Sequence, residues 1–146
     1  MISVTVGQDA FDVGVEMARL GVPGVGAVAS FVGIVRDDGG LLSLTLEHFP
    51  GMTEAALETL AREARDRWSL LAATIYHRVG QLVPADSIVF VGTSAPHRRD
   101  ALEACSFLID RLKTDAPFWK RESFSDGRQC WVEPRASDDA ATARWS

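Results

Sequence analysis

The chain has 146 residues, 47% of them hydrophobic and 24% charged, which is enough for one globular domain with a real core. Twenty acidic against fifteen basic residues give a formal net charge of −5, which argues against bulk binding to nucleic acid or to an anionic membrane face. No basic segment leads into an apolar run at the N-terminus, and no stretch approaches the roughly 18 apolar residues of a membrane span, so a cytoplasmic protein is expected.

Residues 2–6 read as a short strand. Residues 9–20 read as a helix with Phe11, Val15 and Ala18 on one side, ended by Gly21-Val22-Pro23-Gly24. Residues 25–35 are nearly all small or apolar, with charge only at the exit, Arg36, Asp37 and Asp38; this is the pattern of a strand buried on both faces. From Leu42 to His48 the apolar residues alternate with Ser43, Thr45 and Glu47, a half-buried strand. Phe49-Pro50-Gly51-Met52 breaks the chain, and Thr53 is placed to N-cap a helix through Trp68 with Leu57, Leu60, Ala61, Ala64 and Trp68 as its stripe. Strands at 71–79 and 88–93 flank the turn Pro84-Ala85-Asp86.

A second amphipathic helix spans 97–114, with Ala101, Leu102, Cys105, Leu108, Ile109 and Leu112 as its stripe. Pro117 ends it, and a hairpin follows. Asp126-Gly127, taken as its two-residue turn, pairs Lys120 with Glu133. Residues 137–146 have the polar, Ala-rich composition of a mobile tail, apart from Trp145. Strands and helices mix without strict alternation and without a linker, so a single α+β domain is expected.

Nucleotide-loop, nucleophile-elbow and zinc-protease motifs are absent from the sequence, and Cys105 and Cys130 lack metal-type spacing. Neither cysteine has an obvious activating base, and no metal or cofactor is expected. His48 and His77 each share a strand face with apolar residues and read first as core or strand-end histidines. His97-Arg98 opens a helix directly after a strand, where free N–H groups and the dipole favour an anion; the competing reading is an ordinary surface helix start.

The densest signal is Lys113, Lys120 and Arg121, three cations within nine residues of an acidic chain, beside Phe118 and Trp119. Local positive potential can hold a small anion against the global sign. Alternatively, Lys113 caps the helix end and Lys120 forms a weak cross-strand ion pair. Clustered cations disfavour the ammonium form, so one lysine could accept a proton while the other stays charged. The sequence does not say which.

Four motifs, taken in order, carry a resemblance. They are Phe31-Val32-Gly33-Ile34-Val35-Arg36, Leu46-Glu47-His48-Phe49-Pro50-Gly51-Met52, Ser94-Ala95-Pro96-His97-Arg98, and Leu112-Lys113 with Ala116-Pro117-Phe118-Trp119-Lys120-Arg121-Glu122. Over roughly residues 25–136 the chain resembles the large, catalytic subunits of molybdopterin synthase. The resemblance implies an α/β hammerhead with an additional antiparallel sheet and hairpin. It also implies sulfur transfer from the C-terminal thiocarboxylate of a small ubiquitin-like carrier subunit to cyclic pyranopterin monophosphate, forming the dithiolene of molybdopterin.

The implied assembly is a homodimer within a heterotetramer, one carrier at each end. Lys113 and Lys120 are the implied catalytic pair, Lys113 toward the thiocarboxylate and Lys120 toward substrate and proton transfer. Ile34, Val35, Arg36, His97, Arg98, Lys113, Lys120, Arg121 and Glu122 are the implied substrate contacts, and Arg135 matches an arginine that reaches a neighbouring subunit's site. Phe49 stands where the family often has tyrosine.

Overall fold

A computed structural model describes residues 1–37, 39–132 and 136–145, and in it the chain forms two four-stranded sheets with helices packed around them. The first sheet has the order β1 (Ile2–Gly7), β4 (Ala72–Arg78), β6 (Ser87–Ala95), β2 (Ala27–Ile34); β1 and β4 are parallel and the other pairs antiparallel. The second is wholly antiparallel, in the order β5 (Gly80–Leu82), β3 (Leu41–His48), β7 (Phe118–Phe124), β8 (Gln129–Val132). Mixed helix and open sheet make the α+β class expected from the sequence.

Alternation along the strands distributes the core. Odd-numbered residues of β4 and β6, including Ala73, Ile75, Val89 and Val91, face α2 (Met52–Trp68) and α3 (Arg98–Asp115), whose buried stripes contribute Leu57, Leu60, Phe107 and Leu108. On the opposite face Ala72 and Phe90 meet Leu20, just beyond α1 (Val13–Arg19). A Cβ on Gly92 would lie 2.4 Å from Leu20 Cδ1, so only glycine lets that leucine close over the sheet. A third cluster, Leu44, Leu46, Val79 and Leu82, fills the space between the two sheets.

Several local expectations are corrected. The first helix is shorter than read, starting at Val13 with Asp12 as its N-cap and an Asp12 Oδ1 acceptor 3.0 Å from Val15 N. Gly51, at φ 85°, is the N-cap of α2 in place of Thr53. Thr53 is fully buried one position inside the helix, where its hydroxyl accepts from Phe49 N and donates to Pro117 O, both at 3.1 Å.

The apolar strand β2 is not buried on both faces. It is an edge strand, and Val28 and Ile34 are exposed. A bulge between Leu41 and Ser43 turns Leu42 outward, leaving Leu44 and Leu46 on the inner face.

The hairpin turn also differs. Gly127 N donates to Phe124 O at 3.0 Å, Phe124 N donates to Arg128 O at 2.9 Å, and Gly127 sits at φ 89°. This is a three-residue loop, a type I turn followed by a left-handed glycine, so Lys120 pairs with Val132 and not with Glu133. Residues at the C-terminus form α4 (Ala136–Ala143) against α3: Thr142 Oγ1 donates to Asp110 O at 3.0 Å, and Trp145 Nε1 donates to Asp110 Oδ2 at 2.6 Å.

Candidate active site

A cavity of about 570 Å³ opens where the two sheets meet the C-terminal end of α3. Three segments bring charge to it. Alternation on β7 points Phe118, Lys120 and Glu122 inward, opposite His48, Leu46 and Leu44 of β3. Lys113 follows the buried Leu112 in the last turn of α3, where a cation suits the negative end of the helix dipole. Arg36 follows Val35, which is fixed by hydrogen bonds of its N–H to Asp86 O and its carbonyl to Ala85 N, both 2.9 Å.

Among the described lining residues, Arg36, Lys113 and Lys120 stand against the carboxylates of Glu122 and Asp138. The cavity is therefore cationic in a chain of net charge −5.

His77 forms part of the wall. It is 3% exposed, its ring stacks on Phe118 with centroids 3.9 Å apart and planes 19° apart, and its Nδ1 lies 2.8 Å from the carbonyl oxygen of Arg78. A carbonyl only accepts, so Nδ1 carries the proton and Nε2 the lone pair. Burial above all lowers its pKa to about 4; the Lys120 and Lys113 charges and His48 add to this, and the Arg78 carbonyl opposes it. The imidazole is neutral at physiological pH.

Cys105 is on the buried face of α3, and burial pushes its thiol up to about 11, so it is not a thiolate nucleophile. Cys130 is exposed on β8. No cluster of metal-ligating side chains occurs among the described residues.

The cavity gathers Ile34, Val35, Arg36, Lys113, Lys120 and Glu122 from the residues singled out in the sequence. It does not gather the others. Arg121 lies on the opposite face of β7, its guanidinium 5.8 Å from the centre of the Trp131 ring. His97 and Arg98 open α3 at its far end, about 22 Å along the axis from Lys113 at 1.5 Å per residue. Arg135 lies outside the described residues, as does Glu133.

Phe49 packs edge-on against Trp119, ring centres 4.3 Å apart, on the β7 face away from Lys120, so the cavity has no place for a phenol from that position. Two ionisable wall residues were not assigned to the site from the sequence, His77 and Asp138. Only the alternation of Ile75, His77 and Val79 hinted at the first.

An acidic α+β protein that concentrates cations around a cavity between two sheets belongs to the class whose local electrostatics suit a small anion. The model of the MoaE protein family matches residues 6–115. A molybdopterin synthase catalytic subunit from Pseudomonas aeruginosa is 50% identical, with 99% of each chain covered. A solved structure of a molybdopterin biosynthesis MoaE protein from Burkholderia ambifaria superposes with a TM-score of 0.86 at 50% identity, covering 99% of this chain and 98% of that one. A Helicobacter pylori structure, a complex of subunits 1 and 2 of molybdopterin-converting factor, shares the fold at 21% identity and a TM-score of 0.75, covering 92% and 91%. The chain belongs to the MoaE protein family, whose curated relatives are molybdopterin synthase catalytic subunits.

Proposed function

We propose that the chain catalyses sulfur transfer in molybdenum cofactor biosynthesis. Sulfur passes from the C-terminal thiocarboxylate of a small ubiquitin-like carrier to cyclic pyranopterin monophosphate, giving the dithiolene of molybdopterin. The observation that carries this reading is the convergence of Lys113, Lys120 and Arg36 on one cavity. Both reactants are anions, and fixed cations in a partly desolvated cavity lower the cost of bringing them together. A buried, protonated Cys105 is consistent with sulfur supplied by the carrier.

Lys113 holds the thiocarboxylate end beside the reacting carbon. Lys120 contacts the substrate and transfers protons. Arg36 and the neighbouring backbone of Ile34 and Val35 hold phosphate, and Glu122 hydrogen-bonds the pterin. The carrier docks on this chain, a reading supported by the two-subunit complex that the H. pylori relative in fold forms, and its tail enters the cavity.

A second copy of the chain completes each site, within a cytoplasmic heterotetramer. Two features favour it: the exposed apolar edge of β2, and the length of α3, which keeps His97 and Arg98 from the cavity of their own subunit. In this arrangement those two residues, Arg121 and Arg135 act on the neighbour's substrate. No helix among the described residues is long and apolar enough to cross a membrane.

The deciding experiment mixes the protein with thiocarboxylated carrier and cyclic pyranopterin monophosphate and follows the product by mass. A product carrying two sulfur atoms in place of substrate oxygen is expected, with each carrier's thiocarboxylate left as a carboxylate. Tight binding of both reactants without product would make the chain a scaffold. Release of inorganic phosphate without sulfur uptake would make it a hydrolase.

A further inference from the structure

Most of the cavity wall is apolar, and its described ionisable side chains other than His77 are either cations or carboxylates. Arg36, Lys113 and Lys120 have no acceptor to offer, and the two carboxylates that accept also repel an anionic ligand. His77 is the exception. Its Nδ1 proton is committed to Arg78 O, no described residue hydrogen-bonds its Nε2, and the 3% exposed side chain borders the cavity.

Nε2 is not sealed from the cavity, and a cavity-lining acceptor without a protein partner invites a ligand donor. Stacking on Phe118 holds the ring plane, so the lone pair has a set direction. Taking the substrate proposed above as given, we infer that His77 Nε2 accepts a hydrogen bond from an N–H or O–H group of the bound pterin, making His77 a specificity-determining contact that reads the heterocycle while the cations read the phosphate.

The groups that face the ring are Lys120 from β7, Lys113 from α3 and His48 from β3, and its own strand contributes the Arg78 carbonyl, which favours the proton. Burial above all, with the lysine charges adding to it, keeps the imidazole neutral, and a neutral imidazole accepts without neutralising the cations.

The test compares two ligands on three proteins: inorganic sulfate, and cyclic pyranopterin monophosphate, bound to the unaltered chain, His77→Phe and His77→Gln. Phenylalanine keeps the stack and volume but removes the acceptor, and glutamine restores an acceptor near Nε2. His77→Phe is expected to weaken pterin binding about 10-fold, with sulfate unchanged and His77→Gln back to within about 3-fold.

Independently of any substitution, the ¹⁵N resonance of His77 Nε2 in the unaltered protein is expected to move when the pterin is added and to stay when sulfate is added. Equal weakening of both ligands in His77→Phe, or an Nε2 resonance indifferent to the pterin, would overturn the inference alone. Sulfate binding without any pterin binding by the unaltered protein would overturn the proposed substrate, and the inference with it.

Discussion

Lys120→Ala separates chemistry from folding more cleanly than any other change in this protein. Lys120 sits on the cavity face of β7 between Leu46 and Val132 and is half-buried, so its ammonium acts where water only partly screens it. At about 4 Å from a substrate anion and an effective dielectric near 20, one unit charge contributes roughly 4 kcal/mol. Removing one such preorganised contributor typically lowers the rate about 10²–10³-fold. The cost to folding is much smaller, under about 1 kcal/mol, because the position is neither sealed nor committed to a packed core.

The assay is product formation by mass from thiocarboxylated carrier and cyclic pyranopterin monophosphate, run beside urea unfolding of the same sample. Lys120→Arg sharpens it: the charge and phosphate attraction persist, whereas a guanidinium does not exchange its proton near neutrality, so binding survives and turnover does not. A loss of less than about 10-fold in Lys120→Ala, or full activity in Lys120→Arg, would refute the role given to this lysine.

Three further outcomes are expected. His77 holds a proton below about pH 4 when folded and below 6.5 when unfolded, so between those values the unfolded chain binds more protons and acidification destabilises the fold, by about 3 kcal/mol at pH 4. Urea midpoints should therefore fall from pH 6.5 toward 4, and less so in His77→Phe; parallel slopes would count against a buried neutral ring. Trp145→Ala removes edge contacts to Trp68 and Phe107 and the bond to Asp110, and should cost about 2 kcal/mol in urea melts without lowering turnover at 25 °C. Val28→Glu puts a charge on the exposed edge of β2, clear of the cavity, and should weaken the proposed self-association at least about 30-fold by sedimentation; an unchanged association state would count against a β2 contact.

Periodicity made the two long helices legible, because the stripes of α2 and α3 are wide and their polar faces rich in charge. It failed where two structures share one pattern. An apolar run such as 25–35 suits a doubly covered strand and an edge strand alike, and only sheet order separates them. Asp-Gly suits both a two-residue turn and a three-residue loop. Here Asp126 Oδ1 accepts from Arg128 N at 3.0 Å, and the longer loop prevails.

The candidate site was legible in part for a related reason. Lys113 and Lys120 are close in sequence and remain so around the bend at Pro117. His97 and Lys113 share one rigid helix that fixes them at opposite ends. No local pattern encodes that two charges on one rod end up one in the cavity and the other far outside it.

The bulge at Leu41 and the loop at 125–127 together hold β7 in a single alignment with β3 and β8. A single-codon insertion or deletion between Pro117 and Lys120 would reverse the facing of every later side chain on the strand, sending Arg121 and Ser123 inward and Lys120 and Glu122 to the outside. Such a protein could keep its composition, its hydrogen-bond ladder and much of its stability while losing its electrostatic interior. Length between the helix end and the turn is therefore under tighter constraint than the identity of most residues within it.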